Sequence, residues 1–263
     1  MTIRVGVFGA GGRMGSLVCR TVADDPKLQL VAAIDPLHEG LDLRRITGAD
    51  VPGVRISSDA EALDLAGAQV AVDFTHISAA RENLAWCAAH GVHAVVGTTG
   101  FLADDYDDLR ARFTSSNCFV APNFAIGAVL MMRFAELAAR YFETAEIIEL
   151  HHDQKADAPS GTAMLTAERV AAASSEWAPD PTVNEVVEGS RGGQAAGGIR
   201  VHAVRLRGLV AHQEVLFGTM GQSLSIRHDS YDRSSFMPGV LLAVKSVADR
   251  PGLTIGLDAL IDI

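Results

Sequence analysis

The amino-acid sequence predicts an α/β protein in two parts, a parallel sheet flanked by helices and then an α+β unit with a mixed sheet. Strand-like and helix-like segments alternate through the first part, and a glycine-rich turn stands between its first strand and first helix. After Phe124 the pattern changes to a long helix, a single strand and, later, three successive alternating strands. A chain of 263 residues with 48% hydrophobic content is large enough for both parts.

Short apolar runs in the first part predict strands, and runs of helix-forming residues predict helices between them. In chain order these elements are the strand Ile3–Phe8, a helix through Ala23, the strands Leu28–Ile34 and Gln69–Phe74, the helix Ala79–His90, the strand Val92–Val96, the helix Asp104–Phe113 and the strand Cys118–Ala121. The stretch Leu37–Asp59 has no clear period and is rich in glycine, so we expect an irregular surface excursion there.

The second part mixes helices with alternating strands. Its predicted elements are the helix Ala125–Phe142, the strand Ala145–Leu150, a helix opening at Gly161 or Thr162, a loop over Ala178–Gly198, the strands Ile199–Arg207, Ala211–Thr219 and Gln222–His228, the helix Ser234–Val247 and the strand Leu253–Leu257. The last strand can return to the first part. We therefore expect one domain over residues 1–125, with residues 234–263 returning to it, and a second domain over residues 126–233.

If the second layer of helices is incomplete, large apolar residues on the late strands leave one sheet face apolar, and an oligomer interface is a reasonable use for that face. These residues are Val201, Leu206, Val215, Leu216 and Phe217.

The glycine-rich turn runs from Gly9 to Gly15 between the first strand and the first helix. In a dinucleotide site such glycines permit a tight turn and a close approach of backbone N–H groups to a pyrophosphate. Asp35 ends the next strand, 20 residues after Gly15, where an acidic residue can bind the adenosine ribose. The succession of strand, glycines, helix, strand and acid predicts nucleotide binding.

Three later strands are each followed by a polar turn. These turns are Asp73-Phe74-Thr75, Gly97-Thr98-Thr99-Gly100 and Ala121-Pro122-Asn123-Phe124. Ligands of an open parallel sheet lie beyond the carboxyl ends of its strands, so we expect these turns to line one crevice with the glycine-rich turn. Taken singly, each turn is equally explained by ordinary turn chemistry.

The run from His151 to Ala163, H-H-D-Q-K-A-D-A-P-S-G-T-A, carries most of the chemistry. Ser160 is a good N-cap for the following helix, whose start suits a carboxylate or phosphate. Lys155 adds a compact cation, and a histidine can exchange a proton near neutral pH. A lone histidine or a lone cap is usually structural, but their clustering predicts a site for an anionic substrate whose carbon skeleton gains a proton.

Composition excludes several classes of function. A formal net charge of −10 argues against binding to nucleic acid or to an anionic membrane surface. Cys19, Cys87 and Cys118 are widely spaced in apolar contexts, with neither a disulfide pattern nor the spacing of metal ligands, so we expect core residues, no metal and a reducing compartment. The first strand leaves no room for a secretory signal, and a Pro-Asn pair breaks the longest apolar run, Phe119–Met132. We expect a cytoplasmic protein.

Five motifs stand in collinear order along nearly the whole chain: G-A-G-G-R-M-G, G-T-T-G, A-P-N-F, H-H-x-x-K-x-D-A-P-S-G-T-A and A-H-Q-E-V-L-F-G. Together they resemble the 4-hydroxy-tetrahydrodipicolinate reductase (dihydrodipicolinate reductase) family of diaminopimelate and lysine biosynthesis. The resemblance implies a Rossmann-type nucleotide domain, a substrate domain, a homotetramer built through the substrate-domain sheets, and a reductase that uses NADH or NADPH. Its substrate would be a small cyclic imine with two carboxylates.

The resemblance also implies roles for individual residues. His151 would be the acid/base residue, and Lys155 would donate a proton or anchor a carboxylate. Substrate binding would fall to His152, Ser160, Gly161 and Thr162. Cofactor binding would fall to Gly9, Ala10, Gly11, Gly12, Arg13, Met14, Asp35, Gly97, Thr98, Thr99, Ala121, Pro122, Asn123 and Phe124.

The residues near Asp35 bear on cofactor choice. Asp35 can accept hydrogen bonds from both ribose hydroxyls of NADH, and its charge repels the 2′-phosphate of NADPH. Pro36 stands where a basic residue would help NADPH, yet Arg13 is near enough in sequence to offset the repulsion. We therefore expect use of both cofactors, with a preference for NADH of at most about tenfold.

Two other classes of protein share the glycine-rich turn. A different two-domain NAD(P)-dependent dehydrogenase would not need the histidine pair and lysine joined to Ser-Gly-Thr. A non-catalytic nucleotide sensor would bind NADH but turn over no imine.

Overall fold

A computed structural model of the chain describes residues 2–261, which form two compact units. The first unit comprises residues 2–124 and 236–261, and the second comprises residues 125–235. Among residues 2–261, no helix combines the length and the apolar character that crossing a membrane requires.

Eleven strands and eight α-helices are found in residues 2–261. In chain order they are β1 (Ile3–Phe8), α1 (Arg13–Asp24), β2 (Leu28–Ile34), α2 (Leu43–Thr47), α3 (Glu61–Leu65), β3 (Val70–Asp73), α4 (Ile77–Ala89), β4 (His93–Val96), α5 (Ala103–Arg112), β5 (Cys118–Val120), α6 (Ile126–Ala139), β6 (Thr144–His151), α7 (Gly161–Ala172), β7 (Gly193–Gln194), β8 (Arg200–Arg205), β9 (Ala211–Thr219), β10 (Gln222–Ser230), α8 (Met237–Ser246) and β11 (Leu253–Ile255). Short 3₁₀ turns lie at Pro36–His38, Ala196–Gly198, Arg233–Phe236, Val247–Asp249 and Leu257–Leu260.

The first unit is built on a six-stranded sheet with the order β11-β5-β4-β3-β1-β2. Every neighbouring pair in this sheet is parallel, as the sequence predicts. All four residues of β3 are buried because helices cover both faces of the sheet. The strand order reverses at β1, so the crevice for a ligand lies beyond the carboxyl ends of β1 and β3.

The core of the first unit is formed by the apolar strands and the inner sides of the helices. Phe8, Phe119 and Phe124 are among the largest fully buried side chains. The three cysteines are free and buried, which confirms that they are core residues. The last strand, β11, pairs in parallel with β5 of this sheet.

The second unit holds a five-stranded sheet with the order β10-β9-β6-β8-β7. Strand β6 runs parallel to β8 and antiparallel to β9, so the sheet is mixed, as expected. Helices α6 and α7 pack against each other, and α6 also packs on β10. This packing buries Val201, Val215 and Phe217 under the helices.

The apolar sheet face expected from the late strands is therefore partly wrong. Val201, Val215 and Phe217 are already buried within the unit, whereas 58% of Leu206 is exposed. Side chains alternate between the two faces of a strand, so Leu216 cannot share a face with its neighbours on β9.

Two stretches expected to be irregular contain regular structure. In Leu37–Asp59, the side chain of Asp42 caps α2 by accepting from the N–H of Arg45, and Gly48 ends the helix with a positive φ. Five residues are too few to show a helical period, so only these caps could have signalled the helix. In Ala178–Gly198, the two residues of β7 pair with β8.

One helix was expected over Ser234–Val247, but a 3₁₀ turn precedes α8 there. Pro238 stands in the first turn of α8. Backbone N–H groups in the first turn have no partner within the helix, so proline loses nothing by lacking one and favours a new helix start there.

Candidate active site

The glycine-rich turn joins β1 to the start of α1. Gly9 has a φ of +68°, and the N–H of Gly12 donates to its carbonyl at 3.0 Å. A Cβ on Gly15 would lie 1.9 Å from the same carbonyl oxygen, so α1 packs on the turn at a distance that only glycine permits. The N-terminus of α1 is thereby held at the end of β1, the arrangement that binds a pyrophosphate. The turn and the first residues of α1 contain Gly9, Ala10, Gly11, Gly12, Arg13 and Met14.

Asp35 lies buried at the end of β2 and connects this strand to the glycine-rich turn. Its carboxylate accepts from the N–H of Gly11 at 2.8 Å and from the N–H of Leu37 at 3.0 Å. The Nδ1 atom of His38 lies 3.1 Å from the Oδ1 atom of Asp35. Each carboxylate oxygen has two lone pairs, so Asp35 can still accept from a ribose hydroxyl.

Asp73 anchors the turns that follow β3 and β4. The buried carboxylate accepts from the N–H and Oγ1 of Thr75, from Oγ1 of Thr98 and from Nδ2 of Asn83, all within 2.8–2.9 Å. A Cβ on Gly9 would lie 3.1 Å from Cγ2 of Thr75, so these turns lie beside the glycine-rich turn. Asp73 was expected in a polar turn, but its anchoring of two turns was not predicted.

Aromatic packing brings the remaining turn of the first unit to the same edge of the sheet. The rings of Phe74 and Phe124 are 5.7 Å apart, and the Phe74 ring also lies over Gly97. The N–H of Ala121 donates to the carbonyl of Val96 at 3.0 Å. The turns containing Gly97, Thr98, Thr99, Ala121, Pro122, Asn123 and Phe124 therefore line one edge with the glycine-rich turn.

In the second unit, a fully buried carboxylate holds His151. Glu149 accepts from Nδ1 of His151 at 2.6 Å, from two nitrogens of Arg205 at 2.8 Å each and from the N–H of Ser160 at 3.0 Å. An ionised carboxylate can only accept, so the Nδ1 atom of His151 carries a proton. The Nε2 atom of the imidazole is then the one left to exchange a proton with a ligand.

The same contacts set the protonation of this pair. Burial lowers the pKa of His151 below its usual value; Glu149 opposes this effect, and the charges of Lys155 and Arg205 add to it. Burial raises the pKa of Glu149, but the hydrogen bonds from Arg205 and His151 outweigh burial and leave that pKa below its usual value. Near neutral pH, an ionised Glu149 therefore faces a largely neutral His151.

The loop after β6 positions Lys155 beside an acid. The Nζ atom of Lys155 lies 2.8 Å from both carboxylate oxygens of Asp157, whose side chain is 64% exposed. The Nδ1 atom of His152 accepts from the N–H of Gln154 at 3.2 Å. Sequence reasoning gave Asp157 no role, but an anion that binds Lys155 competes with this carboxylate for the ammonium group.

The start of α7 closes this group of residues. Oγ of the buried Ser160 accepts from the N–H of Ala163 at 3.2 Å, which confirms both the expected cap and a helix that begins at Gly161. A Cβ on Gly161 would meet nothing within 4 Å, so there is open space beside the first turn. Thr162 follows in that turn, where N–H groups can receive a carboxylate.

Sequence reasoning missed Glu149 and Arg205. Glu149 lies two residues before His151 on β6, a spacing that places both side chains on one face of a strand, so this signal was present in the sequence. Arg205 is the parallel-register partner of His151 on β8, which only the sheet pairing reveals.

Two family models together match nearly the whole chain. The family model described as Dihydrodipicolinate reductase, N-terminus, matches residues 3–124, and its C-terminus counterpart matches residues 127–261. A relative from Nocardia farcinica, a 4-hydroxy-tetrahydrodipicolinate reductase, is 51% identical over 270 residues that cover all of both chains.

Solved structures give the same result. A dipicolinate-bound dihydrodipicolinate reductase from Paenisporosarcina sp. TG-14 is 41% identical with a TM-score of 0.86, covering 99% of this chain and 100% of that one. An amine dehydrogenase from Mycobacterium smegmatis has a TM-score of 0.66 over 97% of this chain and 95% of its own, but at 17% identity it shares the fold alone. A different two-domain dehydrogenase is therefore not favoured. With the Rossmann-type sheet, the mixed sheet and the full length of the chain all matched, this protein belongs to the dihydrodipicolinate reductase family.

Proposed function

We propose that the chain reduces 4-hydroxy-tetrahydrodipicolinate to tetrahydrodipicolinate with NADH or NADPH, in diaminopimelate and lysine biosynthesis. The observation that carries this proposal is the His151 imidazole, tied through Nδ1 to the buried Glu149 at 2.6 Å, in the same loop region as Lys155 and the first turn of α7. The first unit is the nucleotide domain, and the second binds the substrate.

The residues of the first unit fit the nucleotide. The N-terminus of α1, with Gly9 to Met14, would hold the pyrophosphate, and Asp35 would hold the adenosine ribose. The turns Gly97–Thr99 and Ala121–Phe124 would hold the rest of the cofactor. When bound, the reduced nicotinamide supplies a hydride.

The residues of the second unit fit a dicarboxylate that must be protonated. The substrate ring loses its hydroxyl as water, the conjugated ring accepts hydride at C4, and a ring carbon or nitrogen then takes up a proton. Lys155 and the N–H groups at Gly161 and Thr162 hold a carboxylate, and His152 and Ser160 complete the binding site. The Nε2 atom of His151 exchanges the proton, because Nδ1 is already committed to Glu149.

Assembly and location are part of the same proposal. Exposed apolar side chains on the second unit, Leu206, Met220 and Leu224, support an interface between copies in a homotetramer. Buried free cysteines fit a reducing cytoplasm. Light scattering after size exclusion should give the mass of four 27.8 kDa chains, and a monomer mass would overturn the assembly.

The activity is tested by coupling the protein to dihydrodipicolinate synthase and following the oxidation of NADH and NADPH. We expect oxidation that requires the imine product of the synthase. Binding of NADH without any turnover would instead indicate a nucleotide sensor.

Replacing Lys155 with alanine tests the carboxylate site. Because a hydrogen bond to a charged group contributes about 1.5–3 kcal/mol, we expect kcat/KM for the imine to fall roughly 10- to 100-fold, with both KM and kcat affected. Pyridine-2,6-dicarboxylate should inhibit the wild type competitively against the imine and bind the variant poorly.

The exposed Lys27 lies in the first unit, so Lys27→Ala provides the matched control and should leave kcat/KM unchanged. Equal affinity of wild type and Lys155→Ala for the pyridine dicarboxylate would place the substrate carboxylate elsewhere.

A further inference from the structure

His38 occupies the space between Asp35 and the glycine-rich turn. It ends the 3₁₀ turn Pro36–His38, and its Nδ1 atom lies 3.1 Å from Oδ1 of Asp35. The imidazole also packs over Gly11, since a Cβ on Gly11 would lie 2.2 Å from the same Nδ1 atom. This nitrogen is buried and lies within ion-pair distance of the Asp35 carboxylate, although the two groups are not aligned for a hydrogen bond.

The two groups that touch His38 are joined to each other. Asp35 accepts from the N–H of Gly11 at 2.8 Å, so the acid, the turn and the imidazole form one cluster. The buried Nδ1 atom faces the Asp35 carboxylate, so the charge state of the imidazole acts directly on the acid. Under the proposed function, this cluster is where the adenosine ribose of the cofactor binds.

The charge of Asp35 affects the binding of NADH and of NADPH differently. A carboxylate accepts hydrogen bonds from the 2′-hydroxyl of NADH but repels the 2′-phosphate of NADPH. Pro36, directly after the acid, has no side-chain charge with which to offset this repulsion. An imidazole beside the carboxylate can supply that charge only when it is protonated.

We propose that His38 determines cofactor specificity in a pH-dependent way. As a neutral ring it leaves Asp35 to bind the ribose hydroxyls of NADH, and as an imidazolium it offsets the carboxylate and donates to the 2′-phosphate of NADPH. This inference rests on the proposed function, because it needs the nucleotide to bind at this turn.

Other charged residues of the neighbouring segments do not give the same pH dependence. Arg13 is exposed at the start of α1, Glu39 follows His38, and the Arg55 guanidinium donates to a backbone carbonyl. Arginines stay charged and carboxylates stay ionised throughout the neutral range. Arg13 can therefore raise the affinity for NADPH at every pH, whereas an imidazole contributes positive charge only when it is protonated.

The test measures dissociation constants of NADH and NADPH for the full chain by titration calorimetry, at about pH 6 and about pH 8 and constant ionic strength. The selectivity is the Kd for NADH divided by the Kd for NADPH. When the pH is lowered from the higher to the lower value, we expect this ratio to rise about fivefold more in wild type than in His38→Gln. A difference of this size is expected of a partly exposed charge contact. His38→Asn provides a second variant in case the first fails to fold.

His90→Gln is the matched control. His90 belongs to the same unit, stacks on Trp86 and lies 3.7 Å from the Glu61 carboxylate, so it is another histidine beside an acid but away from the glycine-rich turn. The selectivity of His90→Gln should depend on pH in the same way as that of the wild type. The 2′-phosphate of NADPH also changes its protonation near the lower pH, and this contribution to the pH dependence is common to wild type and all variants.

Equal pH dependence of the selectivity in wild type and His38→Gln would overturn the role of His38. Failure of all variants and of the wild type to bind either nucleotide would instead overturn the proposed function, and with it this inference.

Discussion

His151→Gln is expected to lower kcat by about 10²-fold or more while the Kd for NADH stays nearly unchanged. The reason is geometric, because Nδ1 is bound to Glu149 and only Nε2 can exchange a proton with the substrate. Glutamine keeps a polar side chain of similar reach but cannot exchange a proton near neutral pH. Stopped-flow turnover and calorimetric NADH binding measure the two quantities separately.

His202 gives a matched control on the neighbouring strand β8. Its Nε2 atom lies 2.7 Å from a carboxylate oxygen of Glu146, so it is also a histidine hydrogen-bonded to an acid. His202→Gln should keep kcat within about twofold of the wild type, as an effect on stability alone would leave turnover intact. Full kcat in His151→Gln would exclude His151 from proton transfer.

The pH dependence of kcat/KM should also reflect the protonation of His151. Burial holds the pKa of His151 below its usual value, so a step in which it donates a proton slows as the pH rises through that lowered pKa. We expect kcat/KM to decline on the alkaline side in wild type and to lose this limb in His151→Gln. An identical limb in both proteins would assign the titration to another group.

Arg205→Ala is expected to lower the free energy of unfolding by about 3–5 kcal/mol. The substitution removes both Arg205 hydrogen bonds from Glu149, a carboxylate with 0% exposure, and leaves its charge buried with fewer partners. Urea unfolding of the full chain, followed by circular dichroism, measures the loss. Adding Glu149→Gln to Arg205→Ala should recover part of it, because a neutral amide needs no counter-charge.

Arg207 gives the control for this loss. It lies two residues after Arg205, is 92% exposed and pairs with Asp153 at 2.9 Å. A surface ion pair contributes little, so Arg207→Ala should change the free energy of unfolding by less than about 1 kcal/mol. Equal losses in the two variants would show that the burial of Glu149 does not matter.

The direction in which pH changes the effect of Arg205→Ala on stability follows from the lowered pKa of Glu149. Its folded-state pKa lies below the usual value, so its contribution to stability is present above the unfolded pKa and is lost as the pH falls through the folded pKa. Arg205→Ala should therefore be most destabilised relative to wild type near neutral pH, and the difference should shrink in acid. A difference that is constant across this range would contradict the account.

The elements that the sequence predicted correctly are those with local signals. The glycine-rich turn, the apolar strands of the parallel sheet and the Ser160 cap each depend on residues within one short segment. Helix α2 was missed because its apolar period spans only five residues. The burial of Val215 and Phe217 was missed because it depends on how α6 and α7 pack on the sheet.

The same distinction holds for the candidate site. His151, Lys155 and Ser160 lie within one motif, so spacing alone grouped them. Arg205 binds a residue 56 positions earlier in the chain, and Thr98 binds one 25 positions earlier, and neither contact follows from a local pattern. Sheet register and turn packing create these pairs, and a single sequence does not specify either.

The pairing of Lys155 with Asp157 makes anion capture an exchange of counter-ions. A substrate carboxylate that binds Lys155 replaces another carboxylate, and the released Asp157 is already 64% exposed and returns to water at little cost. A ligand with one carboxylate therefore gains little over the intramolecular competitor, whose effective concentration is high. Net affinity must come from a further contact, such as the amides at the start of α7. We therefore expect this loop to bind a dicarboxylate more tightly than a monocarboxylate.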